Sequence, residues 1–308
     1  MIRAAVTGVV LMTYGAPADD ADLARYLAAV RGGKPADPAL VSEMARRYAA
    51  IGGSPLIRIT GEQAAALERE LGNGWLAEAG MRFSEPSIAA AVRRLAARGA
   101  TRCTGIVLSP QWSTGLMGGY RRQLEEAATA AGVPDVAIAG SWHREPSFIA
   151  DLAAALREAR AGLPPGTLTL LTAHSLPKRI FDAEPEYLAA LRETGELVAA
   201  AAGVPAADWA WAYQSAGHTQ EEWLRPDLKD VFPRVAAEGR SGVLIAPVQF
   251  LSDHLEVLYD LDVAAAAEAG ACGLRYHRVR MPNVRPSFVR ALADIARATA
   301  YTSAAGLR

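Results

Sequence analysis

His174 follows the apolar run TLTLLTA directly and precedes Ser175-Leu176-Pro177, which puts an imidazole at the carboxyl end of a strand. In open α/β sheets ligands gather beyond that end. An imidazole placed there can exchange a proton near neutral pH or ligate a metal. A hydrogen-bonded loop histidine is the competing reading. A second group lies in DHLEVLYD, 253–260, which should open a helix after the run VLIAPVQFLS. Its Glu256 and Asp260 are four residues apart and share one helix face. Carboxylates at that spacing repel unless a cation or a proton relieves them, so the pair suits metal handling or proton uptake, against the alternative of a solvated acidic face. Asp253 is expected to cap the first turn, with His254 read as a cap as well.

Tyr14 and Gly15 end the first strand, and Pro17 delays the next helix until the turn is complete. The tyrosine is expected to point into a cleft. Arg31 and Lys34 in VRGGKP, and Arg47 in RRYAAIGGSP, lie near turns of the first half and could bind an anionic substrate. Arginine suits carboxylates because its fork binds them bidentately, while surface salt bridges are the ordinary alternative. Trp112, Trp142 and Trp223 add flat apolar surface, which is more often core than ligand wall. The chain contains no GxGxxG after its first strand, no GxxxxGK[ST] and no GxSxG. The usual dinucleotide and triphosphate cradles and the simplest hydrolase elbow are therefore excluded.

These residues need a scaffold, and the pattern of the chain supplies one. Short apolar runs alternate with Ala-rich amphipathic stretches, which reads as βα alternation and a parallel sheet. Strands are expected at AAVTGVVLM, CTGIVLSP, VAIAGS, TLTLLTAHS, DWAWAYQS, VLIAPVQF and LRYHRV. Helices are expected at 19–30, 38–50, 61–71 and 86–98, then near 145–160, 186–202, 255–269 and 286–300. The fold class is α/β, with a domain over 1–142 and a second over 143–308, whose last helix is left able to pack back on the first. No long linker separates the halves, so they should pack closely around a cleft. With 308 residues, 51% of them hydrophobic, two cores of ordinary size can form.

The 32 basic and 33 acidic residues are well mixed, giving a net charge of -1 and no basic field for a nucleic acid backbone. Cys103 and Cys272, without CxxC spacing, provide neither a disulfide framework nor a four-thiolate site, and a reducing cytoplasm suits them. Apolar runs stop near nine residues, against the about 20 needed to span a bilayer. No transmembrane segment is expected, and the N-terminal run reads as a strand rather than a signal.

TYGAP, RYAAIGGSPL, LSPQWS, SWHREP, LTAHSLP, YQSAGHTQEEWLRPDL, PVQFLSDHLEVLYDLD and MPN occur in one ordered series that resembles the ferrochelatase family. The resemblance runs through most of the chain and implies the chelatase fold, two similar Rossmann-like domains with a porphyrin cleft between them. It implies that His174 and Glu256 are the paired residues on one porphyrin face, receiving metal or protons, with Asp260 a further metal-site member. Tyr14 is similar to the tyrosine of the enzymes that use coproporphyrin III, lying on the face opposite the histidine. Arg31, Arg47 and Ser54 match positions that meet propionates or an outer metal site, Gln63 matches another member of that outer site, and Trp223 matches a tryptophan that lines the cleft. The implied reaction inserts Fe2+ into coproporphyrin III to give coproheme, with release of protons.

Three departures qualify the resemblance. Gln111 stands before Trp112 where related sequences carry a histidine proposed for iron delivery. Ala264 replaces a glutamate found eight residues after the one in HLEV, which weakens the outer site for a divalent cation. The GGSPL turn is one residue short, which affects the setting of Ser54. The resemblance further implies no tightly bound cofactor, Fe2+ as substrate, no iron–sulfur cluster, a monomer, a cytoplasmic location and transient contact with a downstream coproheme-handling enzyme. The rival readings are a protoporphyrin IX ferrochelatase, a sirohydrochlorin cobaltochelatase and a non-catalytic porphyrin-binding protein.

Overall fold

The computed structural model describes residues 6–217 and 221–305. His218, Thr219 and Gln220 of the YQSAGHTQEEWLRPDL motif, and the first residues of the AAVTGVVLM run, lie outside that range. Contacts divide the chain into two units, Met1–Trp142 with Asn283–Arg308, and His143–Pro282. The C-terminal helix is grouped with the first unit, so the second ends at Pro282 rather than at 308.

In the first unit the order is β1 (Thr7–Thr13), α1 (Leu23–Val30), α2 (Pro38–Ala50), α3 (Leu56–Leu71), β2 (Trp75–Met81), α4 (Ile88–Ala97), β3 (Arg102–Val107), α5 (Thr114–Ala130) and β4 (Val136–Ile138). The second contains α6 (Pro146–Ala161), β5 (Thr167–His174), α7 (Lys178–Ala183), α8 (Pro185–Ala202), β6 (Trp209–Gln214), α9 (Leu228–Ala237), β7 (Gly242–Pro247), α10 (Leu255–Leu258), a π-helical stretch Asp260–Ala265, α11 (Ala266–Ala271) and β8 (Arg275–Arg278). The last helix, α12 (Pro286–Ala305), completes the chain. Among the described residues there are two four-stranded sheets, ordered β2-β1-β3-β4 and β6-β5-β7-β8. Every pairing in both is parallel. The two halves thus repeat one topology, as expected from the βα alternation.

β1 is buried at every position and β5 at all but His174, as befits parallel strands rich in apolar residues, with threonine the one polar type among their buried positions. Helix starts are fixed locally. Asp37 accepts the Ala39 N–H, Ser113 accepts the Leu116 N–H, and Asp227 forms a capping box with Asp230. In the second core Leu170, Phe232 and Ile245 pack with Leu261, Ala265 and Ala269 of the π-helical stretch and α11. The segment bearing Glu256 is therefore seated on the sheet through its apolar side.

Some elements depart from the sequence-based expectation. β2, with sequence WLAEAGM, is absent from the expected strands; Glu78 interrupts it and no β-branched residue occurs in it. Arg94 and Arg98 bind the Glu78 carboxylate at 2.8 and 3.3 Å, which makes the charge tolerable there. α5 was hidden by Gly115, Gly118 and Gly119, poor helix formers. A Cβ at Gly119 would lie 2.1 Å from the Arg82 guanidinium, so a side chain there would require that guanidinium to move. α9 was hidden by Pro233. The expected continuous helix 255–269 is instead α10, the π-helical stretch and α11.

Because Phe232 is fully buried among these side chains, Phe232→Ala should lower stability by about 3–5 kcal/mol. The check is a lower guanidinium midpoint with an unchanged slope; a loss below about 1 kcal/mol would show that α9 does not anchor the second core.

Candidate active site

β5 ends on His174, and parallel pairing sets it beside Gln214, the last residue of β6. The His174 backbone N–H donates to Gln249 Oε1 at 2.9 Å, and its ring Nδ1 is hydrogen-bonded to the Ser175 carbonyl. With Nδ1–H so engaged, Nε2 is the nitrogen directed at Glu256, whose Oε1 lies 3.5 Å away. The imidazole is 19% exposed and the carboxylate 43%, so the pair sits at a surface rather than deep in the core. Burial pulls the imidazole toward its neutral form, but the Glu256 carboxylate outweighs it and holds His174 above its ordinary value, at about 9. Glu256 in turn is held below the usual carboxylate range despite its own burial, because the imidazolium faces it. In the free protein the two form an ion pair at neutral pH.

The helix carrying Glu256 is short. His254, not Asp253, is its N-cap: Nδ1 accepts the Glu256 N–H at 3.2 Å. Burial keeps the His254 imidazole below its ordinary value, which suits a neutral ring whose Nδ1 is an acceptor. Asp253 faces Arg278 instead, at 3.5 Å. After α10 the Tyr259 carbonyl accepts the N–H groups of both Val263 and Ala264, which widens the turn into a π-helix. Such widened turns are rare and concentrate at functional sites. Asp260 opens this stretch, and its charge also raises the His174 pKa. Among the described residues no three His, Cys, Asp or Glu side chains stand together as a ready-made metal cage. His174 and Glu256 are the two that come within ion-pair distance, and Asp260 acts on them from farther away.

Trp223 belongs to the same end of the second sheet. The Lys178 N–H donates to the Glu222 carbonyl at 2.7 Å and the Leu224 N–H to the Leu176 carbonyl at 3.2 Å, so the Trp223 segment pairs with the residues directly after His174. The indole lies over Gly217, where an added Cβ would be 2.5 Å from the ring.

The remaining candidates lie in the first unit. Tyr14 follows β1, is 43% exposed, and packs edge-on against Phe83 at 4.6 Å between ring centroids. Arg31 caps the end of α1 and is exposed. Arg47 on α2 donates to Glu43 at 2.8 Å, an ordinary helical ion pair. Ser54 stands between α2 and α3, its hydroxyl accepting the Leu56 N–H at 3.4 Å. Gln63 is fully buried on α3 and donates to the Asn283 carbonyl at 2.8 Å. Gln111 is fully buried, and Ala264 lies in the π-helical stretch. Trp142 is core, whereas Trp112 is half-buried beneath the Arg121 guanidinium.

Sequence reasoning missed Gln249, which also donates to the buried Tyr187 hydroxyl at 2.6 Å, and Arg278 at the end of β8. Both stand at or just after strand carboxyl ends, so the rule that singled out His174 pointed to them too.

A family model for ferrochelatase matches residues 6–300. The coproporphyrin III ferrochelatase of Geobacillus kaustophilus is 36% identical over 299 residues, covering 94% of each chain. That of Bacillus subtilis is 34% identical over 299 residues, covering 94% of this chain and 96% of the relative. Among solved structures, SirB from Bacillus subtilis with Fe3+ aligns over 97% of this chain and 98% of its own with a TM-score of 0.57 at 14% identity, a likeness of fold. The chain belongs to the ferrochelatase family, enzymes that insert a metal ion into a porphyrin.

Proposed function

We propose that this chain inserts Fe2+ into coproporphyrin III to give coproheme, with His174 and Glu256 as the residues that receive the displaced protons and hand over the metal. The observation that carries this reading is the 3.5 Å pairing of His174 Nε2 with Glu256 at the strand ends of the second sheet. The substrate assignment is supported by the names of the relatives and by Tyr14, an exposed phenol at the end of β1.

Metal insertion exchanges both pyrrole protons for Fe2+, so it requires an acceptor for protons and a carboxylate to draw waters from the ion. It requires no change in oxidation state, and no resident cofactor enters the proposed reaction. The free enzyme holds His174 as an imidazolium, so that proton must leave before the ring can accept one from a pyrrole. In the free enzyme the pairing keeps that proton on His174; the charge of an arriving Fe2+ would repel it, and Glu256 and Asp260 are proposed as its path to solvent. Among first-unit residues Arg31, Arg47 and Ser54 are proposed to meet propionates, and Trp223 is proposed as an apolar wall against the macrocycle. The Glu43 carboxylate already binds Arg47 Nε, so Arg31 is the more available cation. A divalent cation at an outer site is a further element of the proposal, weakened where Ala264 offers no ligand.

No helix among the described residues is long and apolar enough to cross a membrane. The proposal places the enzyme in the cytoplasm as a monomer that passes coproheme to a downstream enzyme.

Anaerobic assays with Fe2+ and coproporphyrin III, protoporphyrin IX or sirohydrchlorin, each offered alone and followed by visible spectra, test the substrate. We expect turnover with coproporphyrin III; turnover confined to protoporphyrin IX would discard the substrate, and spectral shifts without metallation would make the protein a porphyrin carrier. His174→Ala should lower insertion by at least about a hundredfold while porphyrin affinity stays near that of the wild type. Loss of porphyrin binding in a folded His174→Ala protein would overturn the proton-acceptor role.

A further inference from the structure

We propose that Arg278 is a positioning residue for the metallation step, clamping the segment that carries Glu256 and Asp260 into its π-helical register. The inference rests on the chelatase reading above and goes beyond it to a residue outside the reacting pair.

Arg278 ends β8, beside Ile245 of β7, so its backbone is fixed by the second sheet. Its side chain is 13% exposed and reaches across to both flanks of the Glu256 segment. On one flank Nε and Nη2 bind the Asp262 carboxylate at 2.6 and 2.8 Å, a two-pronged contact. On the other Nη2 lies 3.5 Å from Asp253 Oδ1. Nη1 donates to the Val279 carbonyl at 3.0 Å, which leaves the guanidinium little freedom. The residues bracketed by these contacts, 254–261, include the His254 cap, Glu256 and Asp260.

The clamp matters because the His254 cap fixes only the first turn of this segment. α10 spans only Leu255–Leu258, and the Tyr259 carbonyl shared by Val263 and Ala264 lies between α- and π-type bonding. Leu261 and Ala265 seat the apolar side of the stretch on the core, but apolar contacts are non-directional and do not by themselves distinguish one register from its neighbour. A planar guanidinium bound bidentately to Asp262 is directional and tolerates one arrangement. A shift from π to α register would rotate Asp260 relative to Glu256 and slacken the Asp262 contact. Lysine at 278 would keep the charge but bind at a point, without the fork.

Arg278→Lys, Asp262→Asn and the double variant, each confirmed folded by near-ultraviolet circular dichroism, would be assayed for kcat, KM for Fe2+ and the Kd for coproporphyrin III. Each single change should lower kcat about tenfold to a hundredfold, the scale of a small misplacement of reacting groups, and raise KM for Fe2+. Porphyrin Kd should stay within about twofold, and the double variant should be no worse than the poorer single one, because both act through one contact. A wild-type kcat in folded Arg278→Lys, losses that add in the double variant, or a parallel loss of porphyrin binding would each overturn the proposal. If Arg278→Lys fails to fold, Asp262→Asn decides alone: a kcat loss at unchanged porphyrin Kd supports the clamp, and a normal kcat overturns it. If the wild type itself inserts no metal, the chelatase reading falls rather than the clamp alone.

Discussion

His174 and Glu256 form an ion pair at the rim of a sheet, and most of the second unit serves that contact. An imidazolium with only 19% exposure loses much of its hydration and persists because a carboxylate stands 3.5 Å away. The contact needs two backbones held in fixed relation. One is β5, central in its sheet and buried up to His174 itself. The other is the segment after β7, which is tied down from several directions. Gln249 reaches back to the His174 N–H, His254 caps the helix that carries Glu256, and Leu261 anchors the π-helical stretch in the core.

The two sheets share a strand order, and the comparison explains where chemistry entered the fold. Tyr14 follows β1 as His174 ends β5, each in the leading central strand of its own sheet. One topology thus supplies two equivalent strand ends, and different side chains occupy them. The phenol is exposed and braced by Phe83, whereas the imidazole is mostly covered and charged.

Much of this was legible in the sequence, and the failures have physical causes. TLTLLTAH reads as a strand because leucine and β-branched threonine fill it with no charged residue before His174, and the strand-end rule then isolates the histidine. WLAEAGM does not read as a strand because the partners that neutralise Glu78 are distant in sequence. α5 is masked by its glycines, of which Gly119 lies against the Arg82 guanidinium. The π-helical stretch leaves no trace in hydrophobic period, because Leu261, Ala265 and Ala269 keep the spacing of an ordinary helix. Asp253 and His254 both read as caps in the sequence; His254 takes the role and the Asp253 carboxylate faces Arg278 instead. Arg278 satisfies the strand-end rule, but its partners Asp262 and Asp253 are set by tertiary structure.

The charge state of His174 in the free protein is the most direct test of this picture. Its imidazole can be titrated by nuclear magnetic resonance in the wild type and in Glu256→Gln. The ion pair predicts a wild-type pKa near 9. With the carboxylate gone, only the Ser175 carbonyl and the Asp260 charge are left to oppose burial, and the value should fall clearly below that of the wild type. A wild-type value at or below 6.5, unchanged by Glu256→Gln, would contradict the pairing on which the proposed function is built.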